Sequence, residues 1–315
     1  VRNIALIGEP LIELRVDADA RMTTSYGGDV ANTAVCFARL RTPATTSIHL
    51  ITALGDSACS QWLRERLLRE RVLVREPATN EGEPGIYGVP FGTGSSMRFS
   101  YWRDHSASRR FLQQLSTEQL DALLHDVDLL IVTGITLALC SDSSFERLIN
   151  WTTSHRTRCD IAFDCNYRPR LWDNRGKARE RIGQFGATAT LLATGLEDEA
   201  ELWDLQSVPD IVDRIQAIDG EYVIRAGASG CWIGRGRTCQ RVPSREVSVV
   251  DAAGAGDAHL AGYLAARMND CDPRVAADFA NHVAALIVGQ AGSVPAAELR
   301  FPPLPSRRPH RACVQ

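Results

Sequence analysis

Short apolar runs of strand length alternate with helical periodicity along most of this chain, and that alternation constrains the fold more than any other feature. Residues 3–8, 47–54, 128–133, 159–164, 189–193 and 221–225 are β-rich runs, with helical patterns at 30–40, 57–71, 117–125, 142–155 and 197–203 between them. Two consecutive helical stretches, 256–268 and 273–288, close the series. A strand joined to the next through a helix returns to the same end of the sheet and pairs in parallel. The pattern predicts an α/β fold, a doubly wound and mostly parallel sheet flanked by helices. At 315 residues, 44% of them hydrophobic, the chain can bury such a sheet on both faces.

The rhythm breaks at 11–27 and 83–103, which are rich in Gly, Ser, Thr, Tyr and Arg and alternate as short exposed strands do. Loops that long inside a domain are uncommon unless functional, so the two are expected to pair as a small β-sheet, a lid over a cleft. One domain is expected over 1–300, with β-lid segments near 11–27 and 83–103. The proline- and arginine-rich stretch 301–315 is expected to be a loosely ordered tail.

Composition removes several function classes. A net charge of −3 argues against a nucleic-acid binder driven by bulk charge, so any anion must be held by local positive groups. Arg64 to Arg71 looks basic, but Leu63, Leu67 and Leu68 recur at helical spacing and mark a solvated helix face. No apolar run approaches the ~18 residues of a membrane span, and residues 3–8 enter a strand without an export signal. The expectation is a cytoplasmic protein with no membrane partner. Nine cysteines are dispersed without a CxxC pair, which suits buried thiols better than disulfides or a zinc site.

The chemistry concentrates at Val249-Val250-Asp251-Ala252-Ala253-Gly254-Ala255-Gly256-Asp257. A β-run enters a loop of small residues and a helix starts at its end. Such a loop can bring backbone N–H groups to a phosphate at the positive end of the helix dipole, with no side chain in the way. Asp257, on the first turn, then faces the same anion. An Asp there can be a plain helix cap. Beside a phosphate, where like charges repel, it makes more sense as a base taking the proton of an attacking hydroxyl.

This segment resembles the C-terminal DTxGAGD signature of the ribokinase (PfkB) family. The resemblance implies that Asp257 is the catalytic base and that Ala253, Gly254, Ala255 and Gly256 form the anion hole. Ala252 stands where the family usually has Thr, and His259 where Phe or Ser is common. Gly27-Gly28-Asp29-Val30-Ala31-Asn32 resembles the family's GGxxxN sugar loop, which implies that Gly28 and Asn32 contact the substrate. Glu199 resembles the NxxE glutamate that orders magnesium through water, with Leu196 in place of the Asn. Arg225, Gly227 and Gly230 resemble the KxGxxG turn that lines the nucleotide, and Asn281 on the last helix is a further candidate for that pocket. The resemblance implies ATP and Mg2+, leaves a monovalent cation open, and implies a homodimer through the lid. No GxxxxGK[ST] loop, no HRD or DFG set and no GxGxxG after the first strand is present, so other nucleotide-binding classes find no support.

An acid sugar needs a cation for its carboxylate, and the planar fork of arginine can hold one with two parallel bonds. Tyr101-Trp102-Arg103 and Asp164-Cys165-Asn166-Tyr167-Arg168-Pro169-Arg170-Leu171-Trp172 each offer one. With Gly27 to Ala34, Ile51 to Gly55, Gly85 to Tyr87 and Thr133-Gly134-Ile135, they resemble the 2-keto-3-deoxygluconate branch of the family. The branch implies substrate contacts at Gly28, Asn32, Tyr87, Tyr101, Arg103 and Arg168, with Arg170 structural. It implies ATP-dependent phosphorylation of 2-keto-3-deoxy-D-gluconate at its 6-hydroxyl, giving 2-keto-3-deoxy-6-phosphogluconate. A neutral-sugar, fructokinase-like enzyme and a non-catalytic sugar-binding protein on the same fold are the alternatives.

Overall fold

Successive residues of the first strand bury into opposite apolar layers, Ile4 and Leu6 into one, Ala5 and Ile7 into the other. Leu129 and Ile131 separate from Leu130 and Val132 in the same way. Strands covered on both faces carry apolar residues at every position, which is why these runs are continuous rather than alternating. The computed structural model describes residues 2–16, 19, 21–40, 46–78, 81–89 and 99–305.

The chain opens with β1 (Arg2–Ile7), β2 (Leu11–Val16), β3 (Met22–Gly27), α1 (Asp29–Arg39), β4 (Thr46–Ile51), α2 (Ala58–Arg69), β5 (Val72–Arg75), β6 (Gly85–Val89) and β7 (Ser100–Trp102). It continues through α3 (Ala107–Gln113), α4 (Thr117–Leu124), β8 (Leu129–Thr133), α5 (Gly134–Leu139), α6 (Asp142–His155), β9 (Asp160–Asp164) and α7 (Arg175–Gly186). The last third holds β10 (Leu191–Gly195), α8 (Leu196–Trp203), α9 (Val208–Ile215), β11 (Glu221–Arg225), β12 (Cys231–Arg235), β13 (Thr238–Val242), α10 (Ala255–Met268) and α11 (Pro273–Val288).

The main sheet runs β13-β12-β11-β10-β9-β8-β1-β4-β5, parallel from β11 to β5, with β12 and β13 added antiparallel. α1, α2, α10 and α11 contribute to the layer on one face, and helices α3 to α9 to the layer on the other. From β1 the chain moves outward to β4 and β5, then returns to β8 on the opposite side of β1. That reversal opens a crevice at the carboxyl ends of the strands, where such folds place ligands.

The two segments that break the rhythm form the small sheet expected of them, in the order β3-β2-β6-β7. Part of the second segment lies outside the described residues. Tyr87 faces Tyr101 across the antiparallel β6–β7 pair. The long runs of the core sit within a few residues of their expected bounds. β5, α3, α5, α7, α9, β12 and β13 fall between the expected runs; most are short, with periodicity too brief to stand out.

Two details differ from expectation. Leu68 on α2 is 60% exposed, so only Leu63 and Leu67 of that stripe reach the core. Residues 301–305 are not loose: Phe301 and Leu304 pack against the core, and the Pro305 carbonyl accepts a 2.8 Å bond from Asn269 Nδ2. Partial burial of two apolar side chains holds a segment that composition alone marks as coil; the rest of the expected tail lies outside the described residues. Among the described residues the cysteines are unpaired, and no helix is long and apolar enough to cross a membrane.

Candidate active site

α1 begins at Gly28, whose φ of 97° is open to glycine, and runs almost wholly buried from Asp29 to Phe37. Asn32, one turn in, donates from Nδ2 to Asp257 Oδ2 at 2.8 Å, bringing residues 225 positions apart into one bond. Asp257 sits on the first turn of α10, after the small-residue loop. Gly254 makes that loop possible: its φ is 77°, and a Cβ there would lie 2.5 Å from the Ser293 carbonyl oxygen. Asp251 braces the loop, taking the Ala253 N–H on one oxygen and the Gly292 N–H on the other, each at 3.0 Å. The Ala255 N–H reaches the Ala252 carbonyl at 3.3 Å. The loop thus satisfies two of the four expected anion-hole amides, those of Ala253 and Ala255, internally.

Asp257 is half-buried, and its pKa is pushed up to about 7 by desolvation and by the nearby carboxylates of Asp29 and Asp164. Asn32 and Arg225 act in the opposite direction. Asp29 is itself raised by burial and accepts from Asn166 Nδ2 at 3.2 Å. Asn166 holds a left-handed backbone with φ 30°, and its segment crosses so close to α5 that a Cβ on Gly134 would lie 2.0 Å from the Cys165 carbonyl.

Arg225, expected to line the nucleotide, holds Asp164 with two bonds of 2.7 and 2.5 Å and the Gly256 carbonyl with a third of 3.0 Å. It clamps the carboxyl ends of β9 and β11 to the small-residue loop. Gly227 and Gly230 flank the short turn after it, and space around Gly227 is open. Asn281 is buried, donating to the Val242 and Pro243 carbonyls and pairing with His259 at 3.2 Å. Its amide is therefore committed within the protein.

Glu199 is likewise committed. Its carboxylate takes Thr194 Oγ1 at 2.7 Å and both Nε and Nη2 of Arg214. The carboxylate turned to the site's arginines is its neighbour Asp198, 3.3 Å from Arg168 and pushed up to about 6 by burial. Arg168 is half-exposed and also donates to the Tyr167 carbonyl at 2.8 Å.

On the lid side, Arg103 is buried in an ion pair with Glu9, which also accepts from Ser106 Oγ. The Arg103 Nε is buried without a hydrogen-bond partner, and its guanidinium lies 5.8 Å from the Tyr101 ring centre. Tyr101 is half-exposed and stacks on Tyr87 at 6.1 Å, while the Tyr87 hydroxyl donates to Glu13. Gly28, Asn32, Asp257, the 253–256 loop, Arg168 and Arg225 thus gather around the ends of the strands, with Tyr87, Tyr101 and Arg103 on the lid. Asn281 and Glu199 are engaged behind them. Asp164, Asp29 and Asp198 lie inside quoted motifs but have roles only their neighbours define. Ser293 and Glu9 carry no sequence signal at all.

Residues 2–299 match the pfkB family carbohydrate kinases. The chain belongs to that family. As a pfkB-family member it is an ATP-dependent sugar kinase. It is 31% identical to the 2-dehydro-3-deoxygluconokinase of Escherichia coli (strain K12) over 300 residues, 93% of this chain and 97% of that one. It is 30% identical to the enzyme of the same name from Dickeya dadantii, over 93% of this chain and 96% of that one. Among solved structures it is similar to a sugar kinase from Pyrococcus horikoshii in complex with ATP, with a TM-score of 0.76, 25% identity and coverage of 92% and 93%.

Proposed function

We propose that this pfkB-family kinase transfers the γ-phosphoryl group of ATP to the 6-hydroxyl of 2-keto-3-deoxy-D-gluconate. The observation that carries the reading is the placement of two cations at the sugar loop. Arg103 from the lid and Arg168 from the segment after β9 both act on Asp29, beside the Asn32–Asp257 bond. An acid sugar placed between them can offer its carboxylate to an arginine and its far hydroxyl to Asp257. The names of the 30–31% identical relatives support the same substrate.

Asp257 takes the proton as the sugar oxygen attacks the γ-phosphorus, and the bond to the β–γ bridging oxygen breaks to release ADP. Asn32 holds the carboxylate in place for that transfer. The amides of the 253–256 loop turn from their internal partners to the transferring group, and Arg168 adds positive charge. No cage of three or more metal-binding side chains exists among the described residues. An ion carried in by ATP fits that setting, and Asp198, its charge disfavoured by burial, is the side chain that would hold it through water. Magnesium, when bound, neutralises phosphate charge. Closure of the lid keeps water from the reacting phosphate. Location in the cytoplasm and a homodimer through the lid belong to the same proposal; exposed Met22 and Trp102 on the lid's edge strands support the dimer.

A neutral-sugar kinase is the second reading, favoured by one observation. Arg103 already has a carboxylate partner in Glu9, so a sugar acid must share it. ADP release with ATP and magnesium decides, comparing 2-keto-3-deoxygluconate, gluconate, fructose and ribose. Strong preference for the keto-deoxy acid is expected. Preference for fructose or ribose would leave the kinase standing and remove the carboxylate role of the arginines.

A further inference from the structure

An asparagine amide has a donating and an accepting end, and the end that faces a carboxyl decides which protonation state it stabilises. Asn32 turns its donor to Asp257 at 2.8 Å, and its Oδ1 accepts from Ser293 Oγ at 3.1 Å. The second bond is what distinguishes the two ends, because a carbonyl oxygen can only accept. Ser293 lies in the coil after α11 and is 7% exposed. Its own carbonyl packs where a Cβ on Gly254 would have to go. Its side-chain oxygen lies near the Tyr87 hydroxyl, which gives its single proton to Glu13. One serine therefore touches the lid, the sugar loop and the anion loop.

We propose that Ser293 is a positioning residue for the phosphoryl transfer, turning the donor end of the Asn32 amide toward Asp257. The inference rests on the reading of Asp257 as the base. Loss of the hydroxyl frees the amide to present its oxygen to Asp257, which favours the protonated carboxyl and removes active base near neutral pH. The other groups that face Asp257 are Asp29 and Cys36 on α1, Asp164 at the end of β9 and Arg225 at the end of β11. None of them bonds Ser293, so the substitution reports through Asn32.

The test is kcat against pH for the full chain with 2-keto-3-deoxygluconate, ATP and magnesium, for Ser293→Ala, Ser293→Cys and Asp257→Asn. For Ser293→Ala the acid limb is expected to rise by about one pH unit, the size of one hydrogen bond to a charged group. Ser293→Cys, similar in size but a weaker donor, is expected to fall between it and the parent. The same shift is to be read without turnover, by infrared titration of the carboxyl band that Asp257→Asn removes. An unmoved limb and band in Ser293→Ala, with Asp257→Asn inactive, would overturn the positioning role and leave the base intact. Normal turnover in Asp257→Asn would instead overturn the base, and this inference with it.

Discussion

At the scale of single residues, the partial burial of Asp257 links reactivity to stability. A carboxyl partly desolvated beside Asp29 and Asp164 holds its proton up to about pH 7, so its proton affinity is matched to work near neutrality. Only the deprotonated form can accept the sugar proton, and kcat is expected to fall as pH drops through about 7. Asp257→Asn should cut turnover by roughly 10²–10⁴ while sparing ligand binding, as measured by kcat beside ATP and sugar titrations. The sign for stability runs the other way. A carboxyl whose folded pKa is raised binds more protons folded than unfolded between the ordinary carboxylate range and about 7, so its contribution falls as pH rises through that window. At pH values above it the charged Asp257 is a cost, and Asp257→Asn should stabilise the fold by roughly 1–3 kcal/mol in denaturant unfolding. A variant both inactive and less stable there would argue that Asp257 is a structural cap.

At the scale of elements, the site is held by ties between segments rather than by any one of them. Arg225 joins β9, β11 and the small-residue loop, and Asp29–Asn166 joins α1 to the segment after β9. Glu199 shows how a motif residue can be recruited into such a tie. The family resemblance implied a role toward magnesium, but the strand before it presents Thr194 and helix α9 presents Arg214, and both take the carboxylate. Arg214 also lies 4.6 Å from the Trp203 ring centre, so the bond fastens α9 to α8. Glu199→Ala should therefore show mainly as lost stability. The expected loss is roughly 2–3 kcal/mol in urea unfolding, below a fully buried pair because Arg214 keeps some solvent contact. A stable variant with a large rise in the magnesium needed for half-maximal rate would return Glu199 to the metal.

At the scale of the whole molecule, the lid and the core differ in how they are built. The main sheet is sealed by apolar layers on both faces, whereas the four-stranded sheet exposes Met22, Tyr101 and Trp102. Amide exchange should reflect this: sugar binding is expected to slow exchange in β2, β3, β6 and β7 and to leave β8 to β11 unchanged. Equal slowing in both sheets would mean that the lid does not move as a separate unit. The alternation of runs along the chain was enough to foretell the parallel sheet, because a strand buried on both faces must be apolar at every position. The small-residue loop with Asp257 was legible for a similar local reason, since loop and helix start are contiguous; the β-run expected before it is instead coil, with Val249 and Val250 exposed. What the sequence by itself determined was this: the type of most long elements, the loop and the carboxylate that follows it. Tertiary structure alone decided that Asn32 faces Asp257, that Glu9 pairs Arg103, that Glu199 is closed by Arg214, and that Ser293 bonds the far end of the Asn32 amide. Those are bonds between residues far apart in the chain, and no local pattern records which distant group a buried polar side chain will meet.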